Sequence, residues 1–317
     1  RAEWGLVWLV LAVNLLFALN YRVADVEVFW LPIFFCLALG VGGAVYELSA
    51  WLPPISWQID QRSWSRWLVL GLLLLVIALG RDGRGAPVDR SNDWDAHIYA
   101  TDLAGVDFPP GSRVVGLRGQ MTALQLMQAS TGEAAAAQAV ALDDPQARRA
   151  FVEEAVAAGL PVYLTQEVAG IEEAFSFSGE GVLVRVWPRG EARSAPPAHA
   201  LAQPMDEGRL LLLGYDLAYR QRPNRRDVEV TFHWQPVEKI AQRLKLSLRL
   251  LDGSGEVIHS EDRYPLRLVA PTSAWLPGET VQDVHLLPLP AGAVSLLVIV
   301  YDEATVAEVG RVSVPLP

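Results

Sequence analysis

Tyr21, Arg22, Asp25 and Glu27 stand within seven positions of one another in "NLLFALNYRVADVEVFWLP", residues 14–32. They form a polar joint between two very apolar runs. A guanidinium binds phosphate through paired, charge-assisted hydrogen bonds. A carboxylate three residues on can orient that guanidinium or the neighbouring tyrosine. The chemistry open to such a joint is capture of an anionic ligand. The simpler reading is a short loop that is polar because it lies in water. Tyr21, Arg22, Asp25 and Glu27 are the substrate-binding candidates. No catalytic residue and no metal ligand is assigned.

Other stretches offer less. There is no GxSxG elbow, Walker loop, HExxH run or zinc-ligand spacing. The five histidines, His97, His199, His233, His259 and His285, are scattered. Alternation within strands explains His233, His259 and His285 better than a metal does. No cofactor is expected. Cys36 is the single cysteine, which excludes an internal disulfide and a multi-cysteine metal site. "RQRPNRR" (220–226) reads as a solvated turn between strands, with contact to an anionic headgroup or phosphate as the sharper alternative. Trp234 and Trp275 read as core or edge residues, with sugar stacking as the alternative.

The elements that hold the joint are apolar. Trp4–Leu19, broken only by Asn14, and Val28–Tyr46 flank it, and Trp67–Leu79 follows. The first two approach the ~20 residues a helix needs to cross a bilayer; the third is shorter and spans if its helix starts near Trp64. The expectation is three transmembrane helices, at about residues 4–20, 27–47 and 64–80. Seven of the 11 tryptophans fall in the first 67 residues, as interfacial rings would. Arg62 and Arg66 place the segment between the second and third runs in the cytoplasm. The joint and everything after Gly80 then lie outside, a multi-pass membrane location. Pro32 sits near a helix start, where it is tolerated, and "GVGGA" (40–44) offers small residues for helix packing.

The first 80 residues hold four basic and five acidic side chains, so most of the net charge of −10 belongs to residues 81–317. An acidic body argues against nucleic acid as a partner. The chain begins with Arg1, not methionine, and is read as a fragment whose upstream part is missing.

Residues 81–190 are the next domain: a polar, glycine-rich stretch opens it, and residues 91–190 alternate strand and helix. "SRVVGL" (112–117), "QAVALDD" (138–144) and "LPVYLTQ" (160–166) read as strands. "QMTALQLMQAS" (120–130) and Pro145–Ala158 read as helices. The pattern βαβαβ implies a small parallel three-layer unit. A hairpin turning at Gly179–Gly181 follows. Residues 191–207, overlapping "PRGEARSAPPAHALAQP" (188–204), are a Pro/Ala-rich linker. From residue 208 to 317, seven short alternating strands suggest a β-sandwich. The fold class expected is a multidomain membrane protein: transmembrane α-helices, a small α/β unit and an all-β sandwich.

Several of these stretches carry a resemblance. "NLLFALNYRVADVEVFWLPIFFCLALGVGGA" resembles the last-helix region of a bacterial membrane family similar to protein O-mannosyltransferases, with the GT-C glycosyltransferase fold. The match falls on Phe17–Tyr21, Asp25 and Pro32. "DRSNDWDAHIYATDL" (89–103), "GLPVYLTQE" (159–167) and "AWLPGETVQDVHLLPLPAG" (274–292) resemble pieces of the extracytoplasmic tail. The resemblance implies transfer of a sugar from a polyprenyl-phosphate donor to an extracytoplasmic acceptor. It implies membrane lipid, the lipid-linked donor and a glycan or protein acceptor as partners. Arg22 would pair with the donor phosphate and Asp25 would orient it. The family's catalytic carboxylates lie in an early external loop upstream of Arg1, so this chain would not itself be catalytic. It departs from its relatives at Gly116–Leu117–Arg118–Gly119, where they carry an acidic turn. The alternative is a non-enzymatic, membrane-anchored glycan- or protein-binding module.

Overall fold

The computed structural model of the chain describes residues 2–20, 30–51, 71 and 93–317. The chain divides into two compact units, Arg1–Ser91 and Asn92–Pro317.

In the first unit, helix α1 (Ala2–Asn20) packs against helix α2 (Leu31–Trp51). Ile33 and Cys36 share one face of α2 at helical spacing, and both are buried. Leu6, Trp8, Phe34 and Phe35 are exposed. Among the described residues, no helix is long and apolar enough to cross a membrane. This corrects the expectation of three transmembrane helices. The membrane-protein fold class, the multi-pass location and the placement of the later domains outside the cytoplasm fall with it.

The physical reason is the length of unbroken apolar helix. At ~1.5 Å per residue, the 19 residues of α1 reach about 28 Å. They include Glu3, Asn14 and Asn20, and the Asn14 amide donates to the Val10 carbonyl at 2.8 Å. Helix α2 has 21 residues but contains Pro32, three glycines and Glu47. The third expected helix lies outside the described residues except for Gly71.

The second unit opens with helix α3 (Asp95–Ala104). A five-stranded sheet follows, in the order β2-β1-β3-β5-β4. Its strands are β1 (Ser112–Gly116), β2 (Ala137–Ala141), β3 (Val162–Leu164), β4 (Phe175–Glu180) and β5 (Leu183–Pro188). β1, β2 and β3 run parallel, and the β4–β5 hairpin adds two antiparallel strands. Alternate residues of β1 face opposite layers. Val114 joins Met121 and Leu124 of helix α4 (Arg118–Thr131), and Val115 joins Val152 and Val156 of helix α5 (Pro145–Ala157). Local chemistry sets the helix ends. The Asp144 carboxylate accepts from Ala147 N at 2.9 Å, Pro145 opens α5, and Gly159 turns the chain away at φ +73°.

Two antiparallel four-stranded sheets complete the unit. One has the order β11-β8-β7-β6: β6 (His199–Met205), β7 (Leu210–Gln221), β8 (Arg226–Pro236) and β11 (Val281–Pro288). The other has the order β10-β9-β12-β13: β9 (Leu244–Leu251), β10 (Val257–Arg263), β12 (Ser295–Asp302) and β13 (Glu308–Pro315). Every second residue of β8 (Val228, Val230, Phe232, Trp234), β9 (Leu244, Leu246, Leu248, Leu250) and β12 (Leu296, Val298, Val300) enters one shared cluster. That cluster is continuous with the α5 side of the five-stranded sheet through Val115 and Val152. Trp234 and Trp275 are buried, and Trp275 Nε1 donates to the Ala270 carbonyl at 3.1 Å. Neither offers a face for a sugar. Strand β6 falls inside the stretch read as a linker.

The five-stranded sheet meets the two-sheet part through a glycine. A Cβ on Gly179 of β4 would stand 3.0 Å from Val284 N and 3.2 Å from Gln282 O on β11. Only a bare backbone allows that approach.

Candidate functional site

The basic stretch 220–226 builds the site. Arg222 N donates to Arg225 O at 2.8 Å, closing the turn between β7 and β8. The turn is exposed at Pro223, Asn224 and Arg226, but Arg222 is buried within it. The Arg222 guanidinium grips both Asp102 oxygens on α3 at 2.7 and 2.9 Å, and its Nε donates to Asp227 at 3.0 Å. Arg225 bonds the other Asp227 oxygen at 2.9 Å and Asp95 at 3.2 Å. Arg220 pairs with Glu229 and lies 3.7 Å from Asp102. Arg226 places its guanidinium over the Tyr219 ring, 4.5 Å from the centroid. The arginines read as a surface charge are thus spent on carboxylates of α3 and β8 and on a ring.

Beside this clamp is a cleft of about 240 Å³. The end of α3 and the turn after it give Asp102, Val106 and Asp107, the β4–β5 turn gives Glu180, and β7 and β8 give Arg220 and Glu229. Gly181 makes the two-residue hairpin turn at φ +58°, a conformation suited to glycine.

The lining is held in place from behind. Glu180 accepts from Tyr163 Oη at 3.1 Å and from Arg185 at 3.2 Å. Burial, then the Glu180 carboxylate, push the Tyr163 phenol well above its ordinary value, so it stays a donor. Arg185 lies over the Trp187 ring at 3.8 Å, which fixes the guanidinium. Asp107 is exposed and forms no ion pair among the described residues. The Arg220 Nε is buried and has no hydrogen-bond partner among the described residues. The arrangement can accept hydrogen bonds at carboxylates and donate at least one from a guanidinium.

Tyr21, Arg22, Asp25 and Glu27 lie outside the described residues. His233, His259 and His285 each pair with one carboxylate, Asp216, Glu261 and Asp283 respectively, at 2.7–2.9 Å. Among the described residues, no three potential ligands converge on a metal position. At the turn 116–119, Arg118 N donates to Asp143 at 2.9 Å, and Gly116 is hemmed in by Thr165.

Sequence reasoning missed Asp102, Glu180, Arg220 and Glu229 as a group. The available signal was four arginines packed into one hairpin turn of an acidic chain, an excess that asks where its counter-charges are.

No family model and no curated protein matches the chain. Among solved structures, a beta-glucuronidase from glycoside hydrolase family 2 aligns at 11% identity with a TM-score of 0.26, over 32% of this chain and 11% of that one. A calcium-binding mutant of Bacteroides uniformis beta-glucuronidase 2 aligns at 11% identity with a TM-score of 0.27, over 47% of this chain and 17% of that one. An endonuclease/exonuclease/phosphatase from Beutenbergia cavernae aligns at 13% identity with a TM-score of 0.22, over 45% of this chain and 35% of that one. The chain thus spans well under half the length of these proteins, and likeness at this level carries no argument about fold or function.

Proposed function

We propose that residues 93–317 carry a binding site for a glycan, with one sugar ring seated in the cleft at Arg220. The observation that carries this reading is a cleft whose carboxylates Asp102, Glu180 and Glu229 are already fixed by arginines, with the exposed Asp107 and the part-exposed Arg220 guanidinium in the same lining. A sugar hydroxyl accepts from the guanidinium and donates to a carboxylate at the same time. Asp102, Glu180 and Glu229 are each paired with an arginine, so the lining favours a neutral polar ligand over an ion. The volume is below the ~300–1,000 Å³ of clefts for drug-sized ligands and suits a single ring.

Within the glycosyltransferase-like parent that the sequence resembles, such a site would hold the glycan acceptor. The polyprenyl-phosphate donor would then be handled elsewhere. The test is a glycan array followed by titration calorimetry on the full chain. Binding of a neutral oligosaccharide that Glu229→Gln and Asp107→Ala each weaken ~10-fold, at unchanged melting temperature, supports the reading. An array without binding ends it.

A further inference from the structure

A second group of residues, away from the arginine clamp, has the make-up of a nucleophilic centre. We propose that Ser194, His233 and Asp216 hydrolyse small carboxylic esters that enter the cleft between the 190–194 segment and the 276–280 loop. Ser194 Oγ lies 3.2 Å from His233 Nδ1, and His233 Nε2 lies 2.7 Å from Asp216 Oδ2. An ionised carboxylate only accepts, so Nε2 carries the proton and Nδ1 presents its lone pair to the serine hydroxyl, which also donates to the Ala195 carbonyl at 3.0 Å and turns from it to reach Nδ1. This is the nucleophile–base–orienter sequence of acyl-transfer sites. The two ring nitrogens have exchanged places relative to the usual serine triad, which leaves the proton path intact.

The fold supports this geometry from several sides. His233 stands on the outer face of β8, yet its side chain is 0% exposed, because residues 194–199 lie across it. They can do so because β7 bulges between Leu212 and Gly214, directly opposite His233. A Cβ on Gly214 would fall 2.2 Å from His199 O and 2.7 Å from Pro197 Cγ. The second Asp216 oxygen accepts from Ala198 N at 2.6 Å, which fixes both the carboxylate and the covering segment. His233 is thus covered on the strand side, and its Nδ1 meets the open cleft of about 630 Å³ through Ser194, which lines it. Leu276 and Pro277 give that cleft an apolar wall, and Arg193 gives it a cation without an ion-pair partner among the described residues. The backbone amides of Arg193, Ser194 and Ala195 make no hydrogen bond among the described residues, so donors beside the hydroxyl are uncommitted.

The reaction balances with water as co-reactant. A lone pair of Ser194 Oγ attacks the ester carbonyl carbon as the hydroxyl proton passes to His233 Nδ1. The carbonyl π pair moves onto its oxygen. Collapse breaks the ester C–O bond, and the leaving alkoxide takes the proton from Nδ1. Water then attacks the acyl-serine by the same route, releasing the carboxylic acid and restoring Ser194. Asp216 is a positioning residue: it holds the tautomer and stabilises the imidazolium.

The full chain is assayed with 4-nitrophenyl acetate and labelled with a fluorophosphonate probe. Expected are 4-nitrophenolate release that falls on acidification, a probe adduct mapped to Ser194 by peptide mass spectrometry, and a loss of ~10³-fold or more in kcat/KM for Ser194→Ala. Asp216→Asn lowers kcat and alters the pH profile, which a residue that only secures the 194–199 segment would not do. Labelling needs no variant, so a misfolded mutant cannot obscure the result. Absence of an adduct on Ser194, or a wild-type rate in Ser194→Ala, overturns the proposal.

Discussion

Arg222 sits on the turn between β7 and β8, yet its guanidinium holds Asp102, 120 residues earlier in the chain, by hydrogen bonds of 2.7 and 2.9 Å. The side chains of both residues are about nine-tenths or more buried, and so is that of Asp227, which takes the remaining Arg222 contact. A pair withdrawn from water in this way gains little over an apolar pair of the same shape. Losing one member costs far more, because the other charge is left behind.

Arg222→Met is expected to lower the stability of the full chain by ~3–5 kcal/mol, read from urea unfolding, since Asp102 and Asp227 lose their counter-charge. Adding Asp102→Leu to that variant is expected to return part of the loss. A double variant no more stable than the single one would contradict this account of the clamp.

Gly179→Val forces a side chain against the backbone of Val284, where even a Cβ would stand at 3.0 Å. Overpacking of this kind costs ~1–3 kcal/mol. Gly253→Ala is the control, because nothing lies within 4 Å of a Cβ there. Its melting temperature should match the parent, while that of Gly179→Val drops.

Alkali is expected to destabilise the second unit through its tyrosines. The Tyr163 phenol is raised by burial and then by Glu180, and the Tyr99 and Tyr219 phenols are raised by burial. A group whose folded pKa lies above its unfolded value stabilises fully below the unfolded value, ~10 for tyrosine. That contribution is lost as pH rises through the folded value. Melting temperature should therefore decline above pH ~10, and less steeply in Tyr163→Phe.

Acid acts on surface turns with the opposite sign. The Ser254 hydroxyl, then the Glu256 and Ser254 amides, hold the Asp252 carboxyl below its ordinary value. Thr305 does the same for Asp302. Their contributions are present above the unfolded value, ~4, and are lost as pH falls through the folded one. Asp252→Asn should flatten the decline in melting temperature measured between about pH 5 and pH 2.

What the sequence revealed follows the range of the forces involved. Leu244, Leu246, Leu248 and Leu250 announce a half-buried strand because the period of two lies within one element. Asp144, Pro145 and Gly159 announce a helix start and stop for the same reason. β6 was hidden: "HALAQPM" has no β-branched residue and is mostly exposed, so only pairing with β7 makes it a strand. The apolar runs at 4–20 and 27–47 announced helices, but no described helix is long and apolar enough to cross a membrane, with Asn14 interrupting α1 and Glu47 lying in α2. The cleft was out of range altogether. Asp102, Glu180, Arg220 and Glu229 come from α3, β4, β7 and β8, and only the packing of these four elements brings them together. Ser194, Asp216 and His233 likewise meet only because a bulge lets one loop cross a sheet.

Strand β6 has a practical consequence. A truncation starting at Gly208, where the change of pattern invites a cut, would strip β7 of its outer neighbour. The row of amides and carbonyls that now pairs with His199–Met205 would face water. An open edge of that kind templates strand addition from a second copy, the first step of self-association. The two-sheet part is therefore portable only when cut upstream of His199, and a version beginning at residue 208 should elute as oligomers on size exclusion.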